Sequence, residues 1–231
     1  MSMHSVAKKY EWVLFDADET LFHFDACRGL QTMFAQFGIQ FSVSDYAAYQ
    51  VVNKQLWQRY QEHQITAGEL QQLRFTSWAE RLSTTPSALN QAFLHAMAEI
   101  STPLDGVPEL LQTLHGNIRM GIITNGFTQL QRIRLERTGL HHYFEVLVVS
   151  EEVGIAKPGR QIFDYALEQM GQPARSAVLM VGDTLESDIL GGIQAGLDTC
   201  WLNPAQKTAI PGIAPTFEVA NHHTLKTLLT A

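Results

Sequence analysis

Four short apolar runs constrain the fold most: Trp12–Phe15, Met120–Ile123, Val146–Val149 and Val178–Val181. Each reads as a buried strand. Thr199–Leu202 repeats the pattern more weakly. Helical patterns lie between and beyond them, at Val107–His115, Leu130–Thr138, Gln161–Met170 and Asp188–Ala195. Strands rich in Val, Ile and Leu that alternate with helices predict an α/β fold, a doubly wound, Rossmann-like parallel sheet.

The stretch from Asp25 to Ile100 breaks this alternation, because it carries no strand pattern. It reads as helices over Ala26–Phe37, Asp45–Glu62, Gly68–Leu82 and Pro86–Ile100. Ser44 with Asp45, Thr66 with Glu69, and Thr85 with Pro86 are the expected starts of the last three. Residues 10–24 and 101–231 are therefore expected to form an α/β core, and residues 25–100 an inserted helical cap domain. Pro103 and Gly106 mark the return linker. A helical insert directly after the first strand is expected over the carboxyl end of the sheet, where ligands bind in such folds.

Composition narrows the function classes. The chain has 231 residues, enough for a sizeable core without disulfide staples, and a formal net charge of −7 with no basic run. A broad nucleic-acid footprint is not expected. Cys27 and Cys200 have no metal-type spacing and fit a reducing compartment. Met1–Lys9 has no apolar core of the signal-peptide kind, and no stretch approaches the ~18–20 apolar residues of a membrane span. A cytoplasmic protein without membrane association is expected.

Three polar motifs each follow a predicted strand: Asp16-Ala17-Asp18-Glu19-Thr20, Thr124-Asn125-Gly126, and Gly182-Asp183-Thr184 with Glu186 and Asp188 just beyond. Lys157-Pro158 precedes a helix. Singly, each reads as a turn, a cap or a surface loop. A parallel sheet brings all three strand ends to one edge, so together they read as a site. Asp16, Asp18, Asp183 and Asp188 would then be four clustered carboxylates. Two unit charges 4 Å apart repel by about 4 kcal/mol at an effective dielectric near 20. Such a cluster awaiting an anionic substrate needs a cation, and hard oxygens select Mg²⁺ or Mn²⁺. Lys157 adds a fixed positive charge. Thr124 offers a hydroxyl, and Asn125 and Gly126 are expected to open a helix whose N–H groups suit a phosphate. In Asp-x-Asp, one carboxylate can attack phosphorus and the other can protonate the leaving alcohol and then activate water.

These motifs resemble those of the haloacid dehalogenase superfamily of phosphatases, and the likeness spans nearly the whole chain. It implies that Asp16 is the nucleophile and Asp18 the general acid/base, with Thr124 and Lys157 holding the phosphoryl group. It implies a metal, Mg²⁺ with Mn²⁺ as a substitute, bound by Asp16, the backbone carbonyl of Asp18, and Asp183, with Asp188 close or water-bridged. The runs Phe15–Phe22, Ile123–Phe127 and Gly182–Asp188 are similar to those of the bacterial pyrimidine 5′-nucleotidases of this superfamily. That likeness implies a small-molecule substrate, a pyrimidine nucleoside monophosphate such as dUMP, dTMP or UMP. Glu19 departs from the superfamily's usual glycine. The alternatives are a same-fold phosphatase for sugar phosphates or phosphoglycolate, a 2-haloacid dehalogenase, which needs no acid at Asp18, and a phospho-accepting receiver module, which is half this length.

Among other residues, Trp57, Tyr60, Phe75 and Trp78 are expected mostly as core between helices of the insert. The pairs His141–His142 and His222–His223 are expected at the surface.

Overall fold

The computed structural model describes residues 9–231, so all of Met1–Lys9 except Lys9 lies outside it. By their contacts the described residues fall into two units. One runs to His23 and continues through Thr102–Gly126 and Thr138–Ala231; the other is Phe24–Ser101 with Phe127–Arg137.

The first unit is built on a parallel sheet of β1 (Trp12–Phe15), β2 (Arg119–Thr124), β3 (Val146–Val149), β4 (Val178–Gly182), β5 (Asp198–Leu202) and β6 (Phe217–Val219). Its order is β3-β2-β1-β4-β5-β6. The chain therefore winds outward from β1 in one direction through β2 and β3, then returns to β1's other side. That reversal makes β1 the switch point of the sheet, and crevices at the carboxyl edge of a switch point are where such folds bind ligands. Phe15 pairs with Ile122 on one side and Val181 on the other. The ladder runs one residue further, since Asp16 N donates to Val181 O at 2.8 Å. All four residues of β1 are buried, as expected of a strand covered on both faces. Trp12, Leu14, Ile123, Val148 and Met180 pack with Ile162, Phe163 and Leu167 in one core cluster.

The helices of the second unit are α1 (Ala26–Ala35), α2 (Val43–Gln61), α3 (Ala67–Leu73), α4 (Thr76–Arg81) and α5 (Pro86–Ile100). In the first unit, α6 (Val107–Leu114) precedes β2, and after it in the chain comes α7 (Thr128–Arg137), which packs on α5 within the second unit. The remaining helices, α8 (Ser150–Val153), α9 (Arg160–Gln169), α10 (Leu190–Gln194) and α11 (His222–Thr230), belong to the first unit.

Several local expectations need correction. The start of α2 is Ser42, not Ser44: Ser42 Oγ accepts from Asp45 N, and the Asp45 carboxylate accepts from Ser42 N, a reciprocal capping box. The helix expected over Gly68–Leu82 breaks at Phe75 into α3 and α4. Arg74 and Phe75 are both buried there. The Arg74 guanidinium lies among the rings of Phe75, Phe93 and Phe127, 4.9–5.2 Å from their centroids, and donates to Asn90 Oδ1. Phe75, Tyr60 and Trp78 are buried as expected, while Trp57 is half-buried, 5.4 Å from the Phe127 ring. The Asp188–Ala195 helix begins instead as a π turn over Leu185–Ile189. Strand β6 and helix α11 carry no expectation from the sequence; three residues punctuated by prolines on their amino side are a weak strand signal. His222, expected at the surface with His223, is 4% exposed.

Candidate active site

Each strand of the central three delivers one side chain to the carboxyl edge. Asp16 directly follows β1, Thr124 ends β2, and Asp183 directly follows β4. Lys157 arrives from the loop before α9 and is held in place by Asn125. The Asn125 amide is bonded twice to the Lys157 main chain, its Oδ1 accepting from Lys157 N at 2.7 Å and its Nδ2 donating to Lys157 O at 3.0 Å. Thr124 is buried, and its Oγ1 accepts from Gly126 N at 3.0 Å. The helix that follows starts only at Thr128, so Asn125 and Gly126 form a connecting turn rather than its first residues.

Lys157 lies at the centre. Its side chain is 1% exposed as a residue, and Nζ donates to Asp16 Oδ1 at 2.6 Å and Ile123 O at 2.8 Å and pairs with Asp188 Oδ1 at 2.7 Å. An ammonium has three N–H donors, and these are three acceptors. Burial opposes its charge, but Asp16 and Asp188 outweigh that and hold its pKa above the ordinary lysine value. It is a permanent cation, not a proton carrier.

The carboxylates behave oppositely. Oxygens of Asp16, Asp183 and Asp188 all lie within 4.8 Å of one another. Burial, then repulsion from Asp16 and Asp188, pushes the Asp183 carboxyl up to about 7, against a smaller opposing effect of the Thr184 hydroxyl. Burial also raises Asp188, although Lys157 pulls it down. Asp188 Oδ2 accepts from Thr184 N at 3.1 Å, and Ser187 Oγ donates to Oδ1 at 3.2 Å. Gly182 makes the approach possible, because a Cβ there would lie 2.4 Å from the Asp188 side chain. Three crowded oxygen donors with one lysine among them leave negative charge unbalanced. That donor set fits a hard divalent cation such as Mg²⁺ and not a soft one. Among the described residues, this is the group of three or more His, Cys, Asp or Glu side chains placed to hold a metal.

Asp18 sits two residues past Asp16, half-buried in a tight turn where it bridges Phe22. Glu19 has φ of +56° and so adopts the left-handed conformation the turn needs. The clamp role of Asn125 and the contacts of Ser187 and Ile123 O carried no signal in the sequence.

A family model of haloacid dehalogenase-like hydrolases matches residues 10–196. The chain belongs to the haloacid dehalogenase-like hydrolase family. It is an enzyme of that family, and its six-stranded α/β core is the family's fold. Among known relatives, it is 59% identical over 221 residues to pyrimidine 5′-nucleotidase YjjG of Escherichia coli, covering 96% of this chain and 98% of that one. It is 32% identical to pyrimidine 5′-nucleotidase PynA of Streptococcus pneumoniae, over 94% and 93% of the two chains. Among solved structures, the HAD-hydrolase YfnB of Bacillus subtilis, bound to magnesium, superposes with a TM-score of 0.82 at 31% identity, over 96% of this chain and all of that one.

Proposed function

We propose that this enzyme is a Mg²⁺-dependent phosphomonoester hydrolase that acts on nucleoside monophosphates, pyrimidines above purines, through a phospho-enzyme on Asp16. The observation that carries the substrate class is the 59% identity to a pyrimidine 5′-nucleotidase over 98% of that enzyme's length. The chemistry rests on the convergence of Asp16, Lys157, Asp183 and Asp188.

Asp16 attacks phosphorus. Lys157 engages its Oδ1, so attack falls to Oδ2. An Asp16–phosphorus bond forms, the bond from phosphorus to the nucleoside oxygen breaks, and Asp18 gives its proton to that oxygen so that the nucleoside leaves as an alcohol. Asp18, now ionised, takes a proton from water. The hydroxide formed attacks phosphorus, releasing inorganic phosphate and restoring Asp16. The Thr124 hydroxyl and the Lys157 ammonium orient the phosphoryl oxygens. Mg²⁺, or Mn²⁺ in its place, would be held by Asp16, the Asp18 backbone carbonyl and Asp183, with Asp188 nearby. When bound it supplies the positive charge that offsets both the carboxylates and the phosphoryl oxygens. The magnesium in the YfnB structure supports Mg²⁺ as the metal.

Residues 25–100 act as a cap in this reading. The site residues touch only the phosphoryl group, so base discrimination rests elsewhere in the chain. No helix among the described residues is long and apolar enough to cross a membrane, and Cys27 and Cys200 are free thiols. We place the reaction in the cytoplasm. The test is steady-state kcat/KM with Mg²⁺ on dUMP, dTMP, UMP, dGMP, dAMP, phosphoglycolate and sugar phosphates. The pyrimidine nucleotides should lead. Equal rates on dUMP and dGMP, or a better rate on phosphoglycolate, would remove the nucleotidase claim and leave the phosphatase chemistry standing.

A further inference from the structure

We propose that His222, at the start of the C-terminal helix α11, is a positioning residue for Asp18. The contact that says so joins residues 202 positions apart: His222 Nε2 lies 2.8 Å from the carbonyl oxygen of Thr20. A carbonyl only accepts, so Nε2 carries the proton and donates.

Thr20 belongs to the turn that follows Asp16 and presents Asp18. That turn is closed from within by Glu19 N to Phe22 O at 2.8 Å, and by Leu21 N and Phe22 N to Ala17 O at 2.9 and 3.0 Å. It is tied to the return linker by Leu104 N to Leu21 O at 2.9 Å and His23 N to Thr102 O at 3.0 Å. These bonds secure the two ends of the turn. The middle, at Thr20, is fully buried, yet the Thr20 hydroxyl has no hydrogen-bond partner among the described residues. The Thr20 carbonyl is an anchor in the middle of the turn, and His222 is the side chain that grips it.

The surroundings are built to bring the imidazole there. Gly106, at the start of α6, has φ of +78°, and a Cβ at that position would lie 3.1 Å from the His222 Cβ. Glycine there admits α11. Asn221 caps α11 by accepting from Thr224 N at 2.9 Å, and Lys226 pairs with Glu109 on α6, which fixes the helix against its neighbour. The imidazole is therefore a strut from the last helix of the chain to the first catalytic loop. It touches no reacting atom, and its effect is to hold Asp18 where the leaving oxygen needs its proton.

This inference rests on Asp18 as the proton donor, so the experiment separates the two claims by leaving group. From a nucleotide the nucleoside leaves as a poor alkoxide and needs the acid; from p-nitrophenyl phosphate the leaving group is a stabilised phenolate and needs it less. His222→Met and His222→Gln are matched in length, and only glutamine can donate. With Mg²⁺, His222→Met should lower kcat/KM on UMP, which reports the steps up to loss of the leaving group and not the shared hydrolysis of the phospho-enzyme, by about tenfold or more, the scale on which misplacing a reacting group acts. The kcat/KM on p-nitrophenyl phosphate should fall far less. His222→Gln should recover most of the loss. A merely structural role would lower both substrates alike, and that result would overturn the proposal, as would a methionine variant with wild-type kcat/KM on UMP. If His222→Met fails to fold, His222→Asn, which can donate but is too short to reach the Thr20 carbonyl, decides in its place: a larger loss on UMP than on p-nitrophenyl phosphate supports the strut, and equal losses or wild-type rates reject it. Asp18→Asn should shift the ratio strongly. If it does not, the assignment of Asp18 fails and the strut with it; if it does while folded His222→Met does not, the strut alone is wrong.

Discussion

Asn125 grips Lys157 by its main chain and leaves the lysine side chain to the carboxylates, with bonds of 2.7 and 3.0 Å on the two sides of one residue. The clamp ties the end of β2 to the loop before α9. It converts a position in a connecting loop into one fixed against the sheet.

Asn125→Ala should therefore damage a residue it does not replace. Two part-buried hydrogen bonds are lost, which predicts a destabilisation of about 1–3 kcal/mol in urea unfolding. The kcat on UMP should fall about tenfold to a hundredfold through displacement of Lys157. Asn125→Asp keeps the acceptor and loses the donor, so it should retain part of the stability. An alanine variant with wild-type kcat would show that Lys157 needs no clamp.

Asp16→Asn should reduce turnover by roughly a thousandfold or more, because the covalent step has no substitute. The protein should stay folded, since Lys157 keeps Asp188 and the Ile123 carbonyl. Lys157→Met should do the reverse and harm the fold first. It strands Asp16 and Asp188 without their buried partner, at a cost of about 3–5 kcal/mol near neutral pH. That cost should ease as pH falls toward 5, because burial already raises Asp188 and the loss of Lys157 removes the charge that pulls it down. Circular-dichroism melts of both variants across pH check the pair of claims.

The metal-free enzyme should be less stable at pH 8 than at pH 5. Asp183 is pushed up to about 7 in the fold, against an ordinary aspartate near 3.9 in the unfolded chain. Between those values the folded state binds the extra proton, so the contribution is full below the lower value and is lost as pH rises through the upper one. Asp183→Asn should flatten this slope. Mg²⁺ should cancel it in the wild type and restore activity after chelation, since a ligand that binds only the folded state stabilises it. Zn²⁺ as the sole restoring ion would contradict the oxygen-donor assignment. The readout is the melting temperature with and without chelator at the two pH values.

Thr20→Val should be tolerated or mildly stabilising. The substitution keeps the shape and removes a buried hydroxyl that lacks a partner among the described residues. The expected gain is up to about 1 kcal/mol, or about 2–4 °C in a chain this size. A loss of several degrees would mean that the hydroxyl makes a bond in solution.

The strands were legible because a strand covered on both faces must be apolar at every position, and Trp12–Phe15 and Val178–Val181 are. The gathering of Asp16, Thr124 and Asp183 followed from strand direction alone. Capping was legible where side chain and backbone are neighbours, as at Thr66 and Thr85, yet Ser42 was hidden beside Ser44, which has the same chemistry. The break at Phe75 lies where Arg74 is buried against Phe93 and Phe127, rings distant in sequence that helical spacing does not encode. His222 was read as surface because paired histidines without a third ligand look solvated. Its partner, Thr20, lies at the other end of the chain and is a backbone atom, so no residue type announces it.

Lys157 has one further consequence. Its three protons are already taken by Asp16, Asp188 and Ile123 O, so the ammonium offers an incoming anion no vacant donor. To be held by this lysine while Asp16 keeps its bond, a substrate must displace Asp188 or the Ile123 carbonyl, and binding becomes a contest for one cation. A weakly basic ion such as chloride is a poor acceptor of charge-assisted hydrogen bonds and a doubly charged phosphate monoester a strong one. Discrimination among solutes then begins with an exchange of partners at a single nitrogen.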